Sequence, residues 1–101
     1  MIYDKAIRDE IPEILTKEGK KFKVEKVSDE IFLQYLNKKL LEEVNKYLES
    51  NSIEELADIS EVITYILKLR NVNINQFESI ALTKIMKKGT FEENLILKEI
   101  E

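Results

Sequence analysis

The stretch LLEEVNKYLESNSIEELADISEVI, residues 40 to 63, has two segments of helical apolar spacing on either side of a short polar break. The break ends one periodic pattern, and Ser52 is a suitable N-cap for the next, with Glu55 at the capping-box position. Such a short connection predicts that the two helices are antiparallel neighbours. Both helices carry carboxylates, which are either solvated surface charge or the two halves of a metal site.

Outside this pair, cap residues and apolar periodicity predict two more helices. Pro12 and Gly19 delimit a short helix near the start of the chain. Asn75 is expected to start a later helix, and Gly89 is expected to end it, because glycine is common just after a helix C-terminus. The four expected helices cover residues 7–17, 28–50, 52–70 and 75–88, with Ser28 as the N-cap of the longest.

Two further segments alternate apolar and charged residues in the manner of strands. KFKVEKV at 21–27 alternates imperfectly, and LILKEI at 95–100 alternates more regularly. We expect these two strands to pair. The predicted fold is therefore an all-α antiparallel helix bundle with a small two-stranded β element, in a single domain over residues 1–101.

The composition limits the chemistry that a site could use. The 101 residues include no cysteine and no histidine. Disulfides, thiolate chemistry and the commonest general base are therefore excluded. A metal would have to be bound by carboxylates, which suit hard cations such as Mg²⁺ or Mn²⁺.

Charge and hydropathy indicate which partners to expect. The net charge is -4 and no long basic stretch occurs, so a nucleic acid duplex is not an expected partner. The chain opens without a signal-peptide pattern and has no apolar run approaching about 18 residues. We expect a cytoplasmic protein that does not contact a membrane.

The acids of the long helix occupy different faces. At about 100° per residue, Glu43 lies at the edge of the apolar face, whereas Glu42 points nearly the opposite way, toward solvent. Lys46 follows Glu43 by one turn and could form an exposed ion pair worth about 0.2 to 0.5 kcal/mol. This helix alone favours solvated surface charge.

The acids of helix 52–70 are placed differently. Glu55 and Asp58 continue an apolar stripe that runs on through Val62, and carboxylates on such a stripe are costly to bury unless they are paired or bind a cation. Glu61 lies about 60° off this line. Acids in a first helical turn also favour the helix dipole, so solvated or ion-paired faces stay an alternative.

The last helix shows the complementary pattern. Lys84 and Lys88 extend a stripe that begins with Phe77 and Ile80. Acidic and basic ends of neighbouring stripes could form a cleft with a cation on one wall and phosphate on the other. Lysines often bury their stems and reach water with the charged group, which is the alternative here.

The acid pattern resembles the motif of the MazG-like all-α nucleotide pyrophosphohydrolases, in which a Glu-Glu-x-x-Glu helix faces a Glu-x-x-Asp helix. Glu42-Glu43 matches the start of the first half, and Glu55-Leu56-Ala57-Asp58 matches the second. The opening YDKAIRDEIPEIL at 3–15 is similar to the Lys-Leu-Val-Arg-Asp-Lys-Ile-Pro opening of a small single-domain branch, related to phosphoribosyl-ATP pyrophosphohydrolase. KKGTFEENLILKEI at 87–100 is similar to the Gly-Gly-Phe ending of that branch, so the resemblance covers the whole chain.

The resemblance implies Mg²⁺-dependent hydrolysis of a nucleoside triphosphate between its α and β phosphates, often to remove non-standard nucleotides. It implies Glu43, Glu55 and Asp58 as metal ligands, Glu61 as a weaker candidate, and Glu42 as a secondary ligand or water-orienting base beside Glu43. The residues expected to contact substrate are Lys84, Lys88, Lys46, Arg8 and Lys5. For Arg8 and Lys5, packing or a subunit contact is an equal alternative.

The chain departs from the family motif at its third acid, because Lys46 stands there. Three interpretations are open: Glu42, Glu61 or a partner subunit compensates, the site is impaired, or Lys46 contacts phosphate. An impaired relative would be a nucleotide- or partner-binding module. Besides the enzyme and the binding module, a third hypothesis for the function is a structural oligomerisation module with solvated acids. Helices that are apolar on two faces also predict a homodimer or homotetramer.

Overall fold

The computed structural model describes residues 3–101 and forms four α-helices joined by irregular segments. The helices are α1 (Ile11–Lys17), α2 (Asp29–Ser50), α3 (Ile53–Leu69) and α4 (Ile74–Lys88). The prediction of an all-α fold is confirmed at this level. Within residues 3–101, none of the helices has the length and apolar character that a membrane-spanning segment requires.

The predicted β element is wrong. Within the part of the chain that is described, 21–27 and 95–100 form no strand. Phe22 and Val24 are exposed, as are Leu95 and Leu97, so neither segment has the half-buried face that stabilises a strand. An isolated pair of strands is also marginal in water, which explains why alternation alone misled the prediction.

The N-termini of the long helices are set by side-chain caps, as the sequence predicts. The Ser28 hydroxyl accepts a hydrogen bond from the backbone N–H of Ile31 at 3.3 Å. The Ser52 hydroxyl accepts one from the N–H of Glu54 at 3.2 Å. The expected capping box with Glu55 is absent, because the Glu55 side chain lies among other carboxylates and the Ser52 N–H donates to Ser50 Oγ at 3.1 Å.

The ends of the shorter helices differ from the prediction by a few residues. The short N-terminal helix begins at Ile11, not near residue 7, and Pro12 lies in its first turn, where the missing N–H costs nothing. The last helix is capped by Asn73, two residues before the predicted start. The Asn73 and Gln76 side chains each accept a hydrogen bond from the other's backbone N–H, at 2.8 and 3.0 Å, which is a complete capping box.

The chain divides into two compact units, one ending at Asn71 and the other spanning Val72–Glu101. In the first unit, α2 and α3 pack against each other across a two-residue link, which requires an antiparallel pair. The buried apolar side chains of this unit are few: Ala6, Leu36 and Val62. Glu43 is buried with them, so a carboxylate belongs to the interior of the helix pair.

The second unit consists of α4 and the irregular segment that follows it. The large apolar side chains of α4 and of the segment after it are all exposed, from Ile74 and Phe77 on the helix to Phe91 and Ile100 beyond it. The helix is therefore stabilised locally, by its capping box and by Gly89, whose N–H donates to the carbonyl of Ile85 at its C-terminal end.

Candidate functional site

Three carboxylates from the antiparallel helix pair converge near the turn that joins the two helices. One oxygen each from Glu43, Glu55 and Asp58 lies within 4.8 Å of the others. Glu43 is on α2, two turns before its end, and the other two are in the first turns of α3. The antiparallel arrangement thus brings together the two acidic groups that the sequence carries on either side of the link. We call these three residues the acid cluster.

Two oxygens of the acid cluster are buried and accept no hydrogen bond from residues 3–101. Glu43 is only 4% exposed. Its Oε2 atom and the Oε2 atom of Glu55 are buried, and no group of residues 3–101 donates to either. Burying an ionised carboxylate without a partner costs free energy that a proton or a bound cation would recover. The cluster therefore has the features of a cation-binding site.

The closeness of the three carboxylates affects the pKa of Glu55. Its pKa is raised above the ordinary value, first by desolvation and then by Glu43, to which a protonated Glu55 can donate a hydrogen bond. Repulsion from Glu43 and Asp58 adds to the increase, and Lys46 partly opposes it. A bound cation would act in the opposite direction, because it favours the ionised carboxylate.

Two lysines of α2 approach the cluster from its outer side. The Lys46 ammonium lies 3.3 Å from Glu42 Oε1 and 3.6 Å from Glu43 Oε1. Lys39 lies 3.6 Å from the same oxygen of Glu43. A hydrogen bond from Lys46 lowers the pKa of Glu42, and the same bond raises the pKa of Lys46.

The irregular N-terminal segment supplies two more cations. Arg8 donates to Asp58 Oδ1 at 3.1 Å and pairs with Glu61 Oε1 at 2.6 Å, and these acids raise its pKa, Glu61 most strongly. Lys5 lies 3.9 Å from Glu42 Oε1. The segment therefore contacts α2 through one basic residue and α3 through the other, with the buried Ala6 between them.

A cavity of about 360 Å³ lies between the N-terminal segment and the helix pair, beside the acid cluster. Phe32, Leu36 and Val62 give it apolar walls. Arg8 and Lys39 line it as well, and both also pair with acids of the cluster. Pockets of this size and polarity are typical of small-molecule sites.

The structure brings together most of the residues that the sequence singles out. Glu42, Lys46, Arg8 and Lys5 all lie around the acid cluster, and Glu61 lies next to it through its pair with Arg8. Glu43, predicted at the edge of the apolar face of its helix, is buried in the helix pair. Glu42 is half-buried between two lysines, where helical geometry predicts a solvated side chain.

Two predicted residues lie elsewhere in the chain, and one neighbour of the acid cluster was missed. Lys84 and Lys88 are exposed residues of α4, in the second unit, and their contact with phosphate stays a prediction. Lys39 contacts Glu43 but was not predicted. It is one helical turn before Glu43, so the same spacing argument that identifies Lys46 could have found it.

Comparison with known proteins identifies no relative of this chain. No protein-family model matches the chain, and neither a curated protein nor a solved structure matches it. The function of the acid cluster must therefore be inferred from its own residues and from the motif resemblance described above.

Proposed function

We propose that this chain is a Mg²⁺-dependent nucleoside triphosphate pyrophosphohydrolase of the MazG-like type, with Mn²⁺ as an alternative metal. The observation that carries the proposal is the convergence of Glu43, Glu55 and Asp58, with buried oxygens that lack any donor. Carboxylate oxygens are the donors that hard divalent cations prefer, so these residues fit such a metal. A metal bound there would neutralise phosphate charge and lower the pKa of a coordinated water.

The proposed reaction breaks the bond between the α phosphorus and the oxygen that bridges to the β phosphate. The oxygen of water forms a new bond to the α phosphorus, and pyrophosphate leaves with the electron pair of the broken bond. The products are the nucleoside monophosphate and pyrophosphate, and one proton passes from water to an acceptor. Removal of non-standard nucleotides is the proposed biological use.

Glu42 and Glu43 are the proposed catalytic carboxylates. Glu42, whose pKa the Lys46 ammonium lowers, is proposed as a secondary metal ligand or as the base that orients the attacking water. Glu43 holds the metal with Glu55 and Asp58. Glu61 is a further proposed ligand, reached only if Arg8 releases it.

The basic groups around the cluster suit the binding of a polyphosphate. Arg8 and Lys46 already lie beside metal-binding carboxylates, and Lys5 lies beside Glu42. The adjoining cavity is large enough for the base or the sugar of a nucleotide, and Phe32 offers an aromatic face. Lys84 and Lys88 are proposed as additional phosphate contacts from α4.

The same geometry supports a second candidate function, in which the chain binds a nucleotide or a partner without hydrolysing it. The observation that favours it is Lys46, which contacts both Glu42 and Glu43 at the position of the third acid of the family motif. A cation so close to the ligands weakens metal binding and could leave a binding module that is catalytically impaired.

The proposed setting is a cytoplasmic homodimer or homotetramer that binds neither duplex nucleic acid nor membrane. The exposed apolar side chains of both units support self-association, because a chain of this size gains stability by burying them.

The test is pyrophosphate release from a panel of standard and modified nucleotides, with Mg²⁺ and Mn²⁺ compared. At least one nucleotide should yield pyrophosphate, and a chelator or Asp58→Ala should abolish the release. The matched control is Glu54→Gln, an exposed acid of the first turn of α3, which should retain full activity. Thermal stabilisation by a nucleotide without turnover would support the binding module instead.

A further inference from the structure

The two oxygens of the Glu43 carboxylate have different surroundings. Oε1 lies 3.6 Å from each of two ammonium groups, those of Lys39 and Lys46. Oε2 is buried, and no hydrogen-bond donor from the described part of the chain reaches it. Glu55 Oε2 is likewise buried without a donor from residues 3–101. We call the side of these two Oε2 atoms the inner side of the acid cluster, and the side of Glu43 Oε1, which Lys39 and Lys46 contact, the outer side.

The charges of the first unit nearly balance at this place. The carboxylates of Glu42, Glu43, Glu55, Asp58 and Glu61 face the basic groups of Lys5, Arg8, Lys39 and Lys46. Five negative and four positive charges leave one net negative charge. One divalent ion would bring the cluster to a net charge of one positive, and a second would leave three positive charges close together, whose mutual repulsion opposes the binding of the second ion.

The Lys46 ammonium contacts the two carboxylates that a second ion beside Glu42 would need. Its ammonium is within 3.3 Å of Glu42 and 3.6 Å of Glu43, so it faces an oxygen of both acids from the first half of the motif. A second metal beside Glu42 would compete with Lys46 for these oxygens. An ammonium and a divalent cation cannot occupy the same lone pairs, and they repel each other at this distance.

We propose that the acid cluster binds a single divalent cation on its inner side and that the Lys46 ammonium takes the place of a second one beside Glu42 and Glu43. The inference rests on the metal site of the proposed function, and it concerns the free protein without nucleotide. Lys46 then holds Glu42 and the outer oxygen of Glu43 in position without contributing to metal binding.

The experiment counts Mn²⁺ ions bound to the full-length chain by electron paramagnetic resonance, in which free Mn²⁺ gives the signal and bound Mn²⁺ loses it. Wild-type protein should bind one Mn²⁺ per chain. Lys46→Glu, which removes the ammonium and adds a carboxylate, should bind two. Lys38→Glu makes the same change of charge on α2, at a lysine that lies over the Tyr35 ring, and should bind one.

If Lys46→Glu does not fold, the same measurement on Lys46→Gln tests the inference. Removing the positive charge without adding a ligand should leave one bound ion and lower its Kd by roughly three- to tenfold, because the repulsion disappears. Circular dichroism confirms that each variant is folded before its ions are counted.

Two bound ions in the wild type, no bound ion in the wild type, or an unchanged count in a folded Lys46→Glu variant would each overturn the inference. An unchanged Kd in Lys46→Gln would also overturn it. Pyrophosphate release is measured separately, so an active enzyme with two ions would contradict the inference alone. An inactive protein that binds one ion would contradict only the proposed hydrolysis.

Discussion

The guanidinium of Arg8 and the carboxylate of Asp58 lie 3.1 Å apart, although 50 positions separate the two residues in the chain. This contact joins the irregular N-terminal segment to the first turns of α3. It also fixes a cation against one oxygen of a carboxylate that belongs to the acid cluster. The N-terminal segment is therefore part of the site, and not only a covering for the helix pair.

Replacing Arg8 tests that role. Arg8→Gln removes both ion pairs and should lower the free energy of unfolding by roughly 0.5 to 1 kcal/mol, a small value because the side chain is 55% exposed. Urea unfolding measures the change. Lys17→Gln is the control, since it removes an exposed pair with Glu13 and should cost about 0.3 kcal/mol. Equal effects of the two variants would contradict the structural role of Arg8.

Neutralising Glu55 should have opposite effects on stability with and without metal. Glu55→Gln removes a charge that lies close to Glu43 and Asp58, so the melting temperature in chelator should rise. The further rise that Mg²⁺ gives the wild type should be lost, because a ligand is missing. Differential scanning fluorimetry with and without Mg²⁺ measures both effects.

The matched control for that experiment is Glu54→Gln, which removes an equal charge from the neighbouring, exposed position. It should leave the response to Mg²⁺ unchanged. If Glu55→Gln responds to Mg²⁺ as the wild type does, Glu55 is not a metal ligand.

Tyr35 provides a test that depends on pH. Its hydroxyl donates to Asp4 Oδ1 at 2.7 Å, and this hydrogen bond raises the pKa of Tyr35 above its usual 10.0. Folding then favours the protonated phenol, so the stabilising effect is complete below pH 10 and disappears as the pH rises through the higher folded value.

An alkaline titration followed by tyrosinate absorbance measures the effect. The titration of Tyr35 is identified as the transition that the wild type shows and Tyr35→Phe lacks. It should lie above pH 10 in the wild type. It should move down toward pH 10 in Asp4→Asn, which keeps the Tyr35 ring but removes the carboxylate. Identical titrations of the wild type and Asp4→Asn would contradict the effect of the Asp4 carboxylate on the pKa of Tyr35.

The helix ends illustrate what local sequence determines. Ser28 and Ser52 were predicted as caps because a hydroxyl before an apolar periodic segment satisfies the free N–H groups of the first turn, and both caps are present. Asn73 was missed in favour of Asn75, because each asparagine has a capping-box residue three positions later, Gln76 for Asn73 and Glu78 for Asn75. Caps depend on residues within one turn, so such errors are small.

The site depends on contacts that no periodic pattern encodes. Spacing placed Glu55 and Asp58 on a stripe that is otherwise apolar, and the structure brings both to Glu43. Residue spacing could not show that Glu43 is buried, because burial depends on how the two helices are rotated against each other. It also left Arg8 undecided, since an irregular segment carries no repeat from which the direction of a side chain follows.

The capping box of α4 gives a prediction for the second unit. Asn73→Ala removes the hydrogen bond to the Gln76 N–H and should cost about 1 kcal/mol of local stability, because the large side chains of this unit are exposed and offer little compensating packing. Hydrogen exchange of the α4 amides measures it. Asn75→Ala, in the same turn but outside the capping box, should leave exchange nearly unchanged.

The most direct test of the proposed hydrolysis is to identify the products formed in water labelled with heavy oxygen. We predict that mass spectrometry will find the label in the nucleoside monophosphate and none in the pyrophosphate, because water attacks the α phosphorus. Glu43→Gln, if folded, should form neither product. Label in inorganic phosphate or in pyrophosphate, or equal turnover by Glu43→Gln, would contradict the assignment.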